Sequence, residues 1–365
     1  MGANPGTGDN WPKKSDEAFA ADYASMAFSR NLQEREKLAW MLFSRINQLI
    51  DDPNGGGMSG TGKVPVWLAW PTDPDTFAST TPFAFQLTPR DDMKPSVRKA
   101  DLEAGSITTA DPDSANEEVT RNKISYDYLI NNGLTTKTNI ATFFTKNDYV
   151  NMPVGSIELK ASWLQVTDSS PAPKGALTYK FSSGTYWWRG LHIMVKMRLL
   201  ADPSKAFYSP EPSWFWTTFE FNDNPGVKHV RDTLITQRAP LQKNEIDRIL
   251  NTAGLKGFGF EAYAPNGTQI SFMDGEKPVI LGHTDMEDFA GSPNPAQSSY
   301  WNRFESSCHT CHATAAYNPE TKKFFPFTVP KGKLYHDYND GNGVYLSQGF
   351  KSLDFMWPIA FQAKK

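Results

Sequence analysis

Ile157-Glu158-Leu159-Lys160-Ala161-Ser162-Trp163 alternates apolar and polar side chains along its whole length. A second stretch has the same alternation, with apolar Leu191, Ile193, Val195, Met197 and Leu199 between polar His192, Lys196 and Arg198. A period of two is typical of β-strands, because successive side chains point to opposite faces of a sheet. Both stretches are therefore predicted to be half-buried strands, with one face toward a core and the other toward solvent.

Further strands are predicted on both sides of this pair. Residues 214–221 form an aromatic strand, and the apolar residues that follow Asn266-Gly267 continue the pattern. The Asn-Gly dipeptide favours a hairpin turn. Val66-Trp67-Leu68-Ala69-Trp70 is a short apolar strand candidate nearer the N-terminus. Closely spaced strands with turn residues between them predict an antiparallel body.

Helices are predicted mainly at the N-terminus. From about Ser15 to Ile50, apolar residues recur at steps of three and four: Phe19, Tyr23, Met26, Leu38, Met41, Leu42, Ile46 and Leu49. Asp51-Asp52-Pro53-Asn54 and the glycines after it end this helical segment. A shorter helix is predicted near Asn244 to Thr252, followed by Gly254.

Length and charge exclude several classes of protein. The 365 residues are 39% hydrophobic, which is enough for a large core, and the formal net charge of −3 offers no broad basic field for nucleic acid. No run approaches the roughly eighteen consecutive apolar residues of a membrane helix, so no membrane span is expected in this sequence. These properties indicate a globular protein that binds neither nucleic acid nor the bilayer core.

Cys308-His309-Thr310-Cys311-His312 is the motif that carries chemistry, because C-x-x-C-H is the spacing of covalent haem attachment. The two sulfurs can add to the two vinyl groups of a porphyrin, and the following histidine can lie under the iron as its proximal ligand. The motif predicts one covalently bound haem c, held by Cys308, Cys311 and His312.

Three other uses of these residues compete with haem. A thiol redox pair normally follows a strand in a βαβ unit, whereas residues 294–307 are polar and lack an apolar strand. A structural zinc site usually needs four ligands, and the chain has no further cysteines. A disulfide between Cys308 and Cys311 is the third alternative. Haem attachment is favoured over all three.

A family resemblance supports the haem and extends over most of the chain. Six stretches resemble large exported bacterial monohaem c-type cytochromes, a mostly uncharacterised family: Ala39 to Phe43, Val66 to Trp70, Lys160 to Trp163, Gly190 to Ile193, Trp214 to Glu220 and Ser306 to Ala313. The resemblance implies a covalent haem, export and a β-rich body, and it implies no substrate. Because c-type haem is normally attached after export, a removed signal peptide and a bacterial periplasmic location are expected.

The predicted fold class is α+β, mainly β. We expect an antiparallel β-sandwich-like body with an N-terminal helical segment and a C-terminal haem-attachment segment. Three parts are predicted to pack as one compact unit: residues 1–125 with the helix and covering loops, residues 126–290 with the β-rich body, and residues 291–365 with the haem motif. The body must enclose the haem, because little sequence follows His312.

The sixth iron position separates an electron carrier from a catalyst. His192 is the first candidate for a distal ligand, and Met356 in Asp354-Phe355-Met356-Trp357-Pro358 is the second. The alternative for His192 is an ordinary hydrogen-bonded strand histidine, and for Met356 it is core packing.

Other ionisable residues are candidates for a pocket or for the surface. Glu220 closes the aromatic strand and could donate a proton beside a bound small molecule, although an exposed acid at a strand end is the alternative. His229, His283 and His336 occur in polar, loop-like sequence that is typical of the surface.

Two functions remain open at the level of sequence. One is a periplasmic electron carrier with six-coordinate iron, which passes electrons to a redox partner protein. The other is a haem enzyme or a protein that binds a small ligand, with an open distal site and peroxidase, oxidase or nitrogen-oxide chemistry. The sequence lacks a recognisable set of acid, base and arginine, which favours electron transfer.

Overall fold

The computed structural model describes residues 10–95, 117–199, 212–233, 238–271, 273–274, 277–286, 312, 315–325 and 349–364. Within these residues the fold is a mixture of helices and antiparallel strands, as the sequence predicts. The α-helices of the described part are α1 (Asp16–Ala27), α2 (Leu32–Ile46), α3 (Lys123–Asn131), α4 (Lys137–Phe143), α5 (Val227–Thr233), α6 (Lys243–Thr252) and α7 (Trp357–Gln362).

One antiparallel sheet dominates the strands. Its six members are β3 (Glu117–Arg121), β4 (Ile157–Gln165), β5 (Thr178–Phe181), β6 (Gly184–Lys196), β7 (Trp214–Phe221) and β8 (Tyr263–Gln269). Their order is β3-β4-β6-β7-β8, and β5 pairs with one end of β6. The predicted long strands are confirmed here.

Three small sheets accompany the large one in the described part. They are formed by β1 (Leu49–Asp51) with β2 (Lys63–Pro65), by β9 (Met273–Asp274) with β10 (Lys277–Pro278), and by β11 (Ala316–Asn318) between β12 (Lys323–Phe324) and β13 (Lys351–Ser352). These residues do not establish a sandwich of two large sheets.

The first face of the large sheet packs against the N-terminal helices. Leu159, Leu191 and Phe219 on this face belong to one apolar core with residues of α1, α2 and α6. Phe43 of α2 stacks on Phe219, with ring centroids 4.0 Å apart, and Trp40 meets the same ring edge-on at 5.0 Å. We refer to this side as the apolar face.

The second face, which the sequence predicts to be exposed to solvent, is instead covered by other elements of the chain. Met194, Trp214 and Trp216 on this face share an apolar cluster with α3, α4, β11 and residues near α7. The polar residues of the same face are buried as well, with Glu158 4% exposed and Lys196 0% exposed. The prediction of half-buried strands is therefore wrong for this side, which we refer to as the polar face.

Buried ion pairs make the covering of the polar face possible. Arg121 of β3 donates from Nε to Glu158 Oε1 at 2.9 Å and pairs with Asp73 through Nη2. Ser125 Oγ donates to the same Glu158 oxygen at 2.6 Å. A buried charge is tolerated only where a partner and hydrogen bonds replace water, and this network provides both.

Several local predictions were wrong for identifiable reasons. The N-terminal helical segment is two helices, because Asn31 caps α2 by accepting a hydrogen bond from the Gln33 N–H at 3.0 Å. Val66–Ala69 is a 3₁₀ helix rather than a strand. Asn266-Gly267 lies inside β8 rather than at a hairpin turn. The predicted helix near Asn244 is confirmed as α6.

Candidate functional site

His312 is the residue of the haem motif that the structure describes, and it lies against the polar face. Its Nδ1 forms a 2.7 Å hydrogen bond with the main-chain oxygen of Phe355. The Trp216 ring meets the imidazole edge-on, with centroids 5.0 Å apart. A carbonyl oxygen can only accept, so Nδ1 carries the proton and Nε2 keeps a lone pair. His312 is thus oriented as a metal ligand is.

Burial determines the charge of this imidazole. It lowers the pKa of His312 to about 4; the hydrogen bond to Phe355 opposes this shift, and the charges of Lys160 and His192 add to it. The ring is therefore neutral at physiological pH, and neutral imidazole is the form that binds metals.

A strained turn places the Phe355 carbonyl. Asp354 and Phe355 both have left-handed backbone angles, with φ of 50° and 68°. Such conformations are unfavourable for residues other than glycine and persist only where the surroundings enforce them.

Hydrogen bonds to the side chain of Asp354 hold this turn in its left-handed conformation. Its carboxylate accepts hydrogen bonds from Lys196 Nζ at 2.8 and 2.7 Å, from Trp214 Nε1 at 2.9 Å and from the Met152 N–H at 2.7 Å. Burial lowers the pKa of Lys196, and the Asp354 carboxylate opposes that shift. The buried pair therefore ties the turn that holds His312 to strands β6 and β7.

His192 lies on the same face as these residues. In the β6–β7 register it is opposite Thr218, and Met194 is opposite Trp216. Its Nδ1 is 2.6 Å from Thr218 Oγ1, and its ring centroid is 6.0 Å from that of His283. Trp216, which contacts His312, lies on the same face, so the fold places two of the predicted site histidines on one side of the sheet.

Met356, the other distal candidate, lies in the apolar cluster of the polar face and is fully buried. It directly follows Phe355, whose carbonyl binds His312. This carbonyl lies on the Nδ1 side of the ring, away from the nitrogen that has the lone pair.

Glu220 is fully buried, so the alternative of an exposed acid at a strand end is wrong. Its Oε1 accepts a hydrogen bond from Asn224 Nδ2 at 2.5 Å. Its Oε2 accepts from Asn266 Nδ2 at 2.7 Å and from the Thr284 N–H at 3.2 Å. Each carboxylate oxygen therefore has a neutral donor.

His283 is also fully buried, which corrects the prediction of a surface residue. Its Nδ1 accepts the Asp285 main-chain N–H at 3.1 Å and lies 3.6 Å from Asp285 Oδ2. The other oxygen of Asp285 pairs with Arg189. Because its neighbouring groups come from β6 and β7, the loop that carries His283 is folded inward rather than exposed.

Two β-bulges aim polar residues at this cluster. The register of β4 and β6 shifts at Ser162/Trp163, which leaves Arg189 as the extra residue of β6. The register of β7 and β8 shifts at Thr218/Phe219, which leaves Asn266 as the extra residue of β8. A bulge redirects side chains, and these two direct Arg189 to Asp285 and Asn266 to Glu220. Local pattern did not identify Arg189, Asn224 or Asp285 as site residues.

Gly190 allows the cluster to close over β6. A Cβ at this position would lie 2.2 Å from the Phe219 oxygen and 2.8 Å from His283 Nε2, and its φ is 148°. Any side chain would therefore push the strands and His283 apart.

Cys308 and Cys311 lie outside the described residues, and so do His336 and the side chain of His229. Among the helices of the described part, none has the length and apolar character needed to span a bilayer. No protein-family model, curated protein or solved structure matches the chain.

Proposed function

We propose that this chain is a c-type cytochrome that holds one haem, attached at Cys308 and Cys311, with His312 as the proximal ligand. The hydrogen bond from His312 Nδ1 to the Phe355 oxygen is the observation that carries the proposal. Metal-binding histidines characteristically donate their second ring N–H to a carbonyl or carboxylate, which fixes the tautomer and the orientation of the ring. His312 has this arrangement.

The surroundings of His312 also fit an iron ligand. With a pKa of about 4 the ring is neutral, so no proton has to be displaced when a metal binds. The edge of Trp216 and the Phe355 carbonyl hold the ring from two sides. A bound haem would supply reversible one-electron transfer between ferric and ferrous iron.

Of the two distal candidates, His192 is better supported than Met356. It shares a sheet face with Trp216, which contacts His312. When His192 Nδ1 donates to Thr218 Oγ1, its Nε2 keeps the lone pair that iron needs. Met356 is fully buried in an apolar cluster, which is the arrangement expected of core packing.

The proposed role is electron transfer in the bacterial periplasm, with a protein as redox partner. In this proposal, residues 291–365 form the haem-attachment segment of a sandwich-like body; of the described residues of that segment, 315–317 and 353–360 pack on the polar face of the sheet. The buried Lys196–Asp354 pair supports that placement, because it joins the C-terminal segment to the centre of the sheet.

The haem can be tested on protein exported with its maturation machinery. A pyridine haemochrome assay and a haem-stained denaturing gel should both give one c-type haem per chain. The double change Cys308→Ala and Cys311→Ala should abolish the stain, and His312→Ala should change the optical spectrum. Stain that survives in the double variant contradicts the proposal.

A small-ligand or catalytic haem site is the second candidate, and the buried cluster of Glu220 and His283 beside His192 favours it. Buried carboxylate and imidazole side chains that lie close together are typical of sites that process bound ligands. The two functions differ in spin state. An electron carrier should be low-spin and resist carbon monoxide until His192→Ala opens the iron. Rapid carbon monoxide binding by the unmodified ferrous protein supports the second candidate instead.

A further inference from the structure

We infer that Glu220, His283, Asp285 and Asn224 form a binding site for a divalent transition-metal ion, separate from His312. One ligand atom from each of Glu220, His283 and Asp285 lies within 4.8 Å of the other two. Zinc bonds to nitrogen and oxygen are about 2.0–2.2 Å long, so the ligand atoms of a tetrahedral site lie roughly 3.4 Å apart. His283 Nδ1 and Asp285 Oδ2 are 3.6 Å apart, close to that spacing.

Asn224 provides a second and independent indication. Its side chain is buried, and its Oδ1 has no hydrogen-bond partner among the described residues. Its Nδ2 lies 2.5 Å from Glu220 Oε1 and 2.7 Å from Asp285 Oδ2, so two carboxylates converge on one amide. The positive end of the amide therefore occupies the position between the two carboxylates, which attracts a cation. An ion bound there would displace Nδ2, and the amide would turn Oδ1 toward the ion while losing the two Nδ2 hydrogen bonds.

The charges of the cluster leave room for a cation. The Asp285 main-chain N–H donates to His283 Nδ1, so this nitrogen holds the lone pair, and a metal would bind it in place of that N–H. Arg189 pairs with the outer oxygen of Asp285 and balances one of the two carboxylates. Arg231 donates to the main-chain oxygen of Glu220 at 3.0 Å and to Asn266 Oδ1 at 2.9 Å, and neither is a candidate ligand atom. We expect these two guanidinium groups to weaken the affinity for a cation.

The donor set selects the class of metal. One imidazole with carboxylate and amide oxygens suits zinc, iron or manganese better than magnesium or calcium, which prefer oxygen alone. Asn266 and the Thr284 N–H hold Glu220 from behind, and Arg189 holds Asp285. Such outer contacts orient metal ligands and raise their affinity.

Manganese is the probe for the test, because cysteine thiolates bind it poorly and its free ion has a resolved electron paramagnetic resonance signal. The full chain is first freed of metal with a chelator and then added to a manganese solution. The free-ion signal should fall by the amount expected for one manganese ion bound per chain. Zinc should displace that manganese, because divalent affinities rise from manganese to zinc, and equimolar magnesium should not.

Variants locate the site. Asp285→Asn and Asn224→Ala should each weaken manganese binding by about tenfold or more, and Asn224→Ala keeps both carboxylates in case Asp285→Asn disturbs the fold. Glu118→Gln is the matched control, because Glu118 is a buried carboxylate that pairs with Arg90 outside the cluster. The manganese affinity of this variant should equal that of the wild type. A free-ion signal that persists at high protein concentration overturns the site. Equal affinity in the wild type, Asp285→Asn and Asn224→Ala overturns it too.

Discussion

The two faces of the large sheet are both buried, but by different chemistry. On the apolar face, rings such as Phe43 and Phe219 stack directly against each other. On the polar face, Glu158 and Lys196 are enclosed, and each has a charged partner from another part of the chain. Alternation along a strand thus identifies which residues share a face. It does not show whether the polar face meets water or a second layer.

The reason lies in sequence separation. Lys196 and its partner Asp354 are 158 positions apart, and Arg121 is 48 positions from Asp73. Periodicity reports only the neighbours of a residue along one element. Whether a lysine on a strand is solvated or buried depends on a remote carboxylate, which no local pattern contains.

Arg121→Met should have the largest effect on stability and tests the polar face directly. The change leaves Glu158 and Asp73 buried without their cation, and breaking a buried pair in this way costs about 3–5 kcal/mol. Burial already raises the pKa of Glu158, and Arg121 opposes that shift. Without Arg121 the carboxyl will take up a proton more readily, so the loss should be smaller at pH 5 than at pH 8.

Urea unfolding of the wild type and Arg121→Met at both pH values measures this loss. Lys123→Met is the control, because Lys123 forms an exposed pair with Asp127 four residues away, and such pairs contribute less than about 0.5 kcal/mol. If both variants lose equally little, the polar face is not held by its ion pairs.

Asp354→Asn should have the next largest effect and should act locally. Lys196 would remain buried without its counter-charge, and we expect a loss of about 3 kcal/mol. The strained turn at Asp354 and Phe355 would lose its anchor, and so would the carbonyl that binds His312. Hydrogen exchange followed by mass spectrometry should show faster exchange over residues 349–364 and little change in β4.

Asp148→Asn is the control for this experiment. Asp148 pairs with Lys351 of the same C-terminal segment, but its side chain is 82% exposed. Removing it should leave exchange over residues 349–364 unchanged, because exposed pairs contribute little. Equal exchange in Asp354→Asn and the wild type would mean that the buried pair does not anchor the segment.

Sequence therefore predicts the elements better than the site. The long strands can be predicted because their alternation is local, and His312, His192 and Glu220 are candidates by motif or by position on a strand. Arg189, Asn224, Asp285 and the burial of His283 were missed, because two bulges and an inward loop bring them together. Asn266-Gly267 is a turn signal by composition, yet here it supplies a bulge residue that binds Glu220.

Glu36→Gln tests an exception on the apolar side, where a carboxyl of α2 is buried. Burial raises the pKa of Glu36 from 4.5 to about 7, although Arg238, Arg231 and the Ala239 N–H oppose the shift. The folded state thus holds this proton more tightly than the unfolded state. Its contribution to stability is full below pH 4.5 and is lost as the pH rises through about 7.

As the pH rises from 5 to 8, the free energy of unfolding of the variant should therefore increase by about 2–3 kcal/mol relative to that of the wild type. Denaturant unfolding at several pH values measures this difference. Glu34→Gln, an exposed glutamate of the same helix, should show no such gain. A parallel pH dependence of the wild type and Glu36→Gln would show that Glu36 is ionised throughout this range.

Asn31→Ala should have the smallest effect and tests the division of the N-terminal helical segment. The side chain of Asn31 accepts the Gln33 N–H at the start of α2, and loss of such a cap costs about 1 kcal/mol. Alanine also favours helix, so the substitution should bias the junction between α1 and α2 toward a continuous helix.

Asn31→Asp keeps the acceptor and should retain most of the stability. Thermal unfolding of the three proteins separates these effects: if Asn31→Ala is as stable as the wild type, packing of α2 against Phe219 defines the start of the helix without help from its cap.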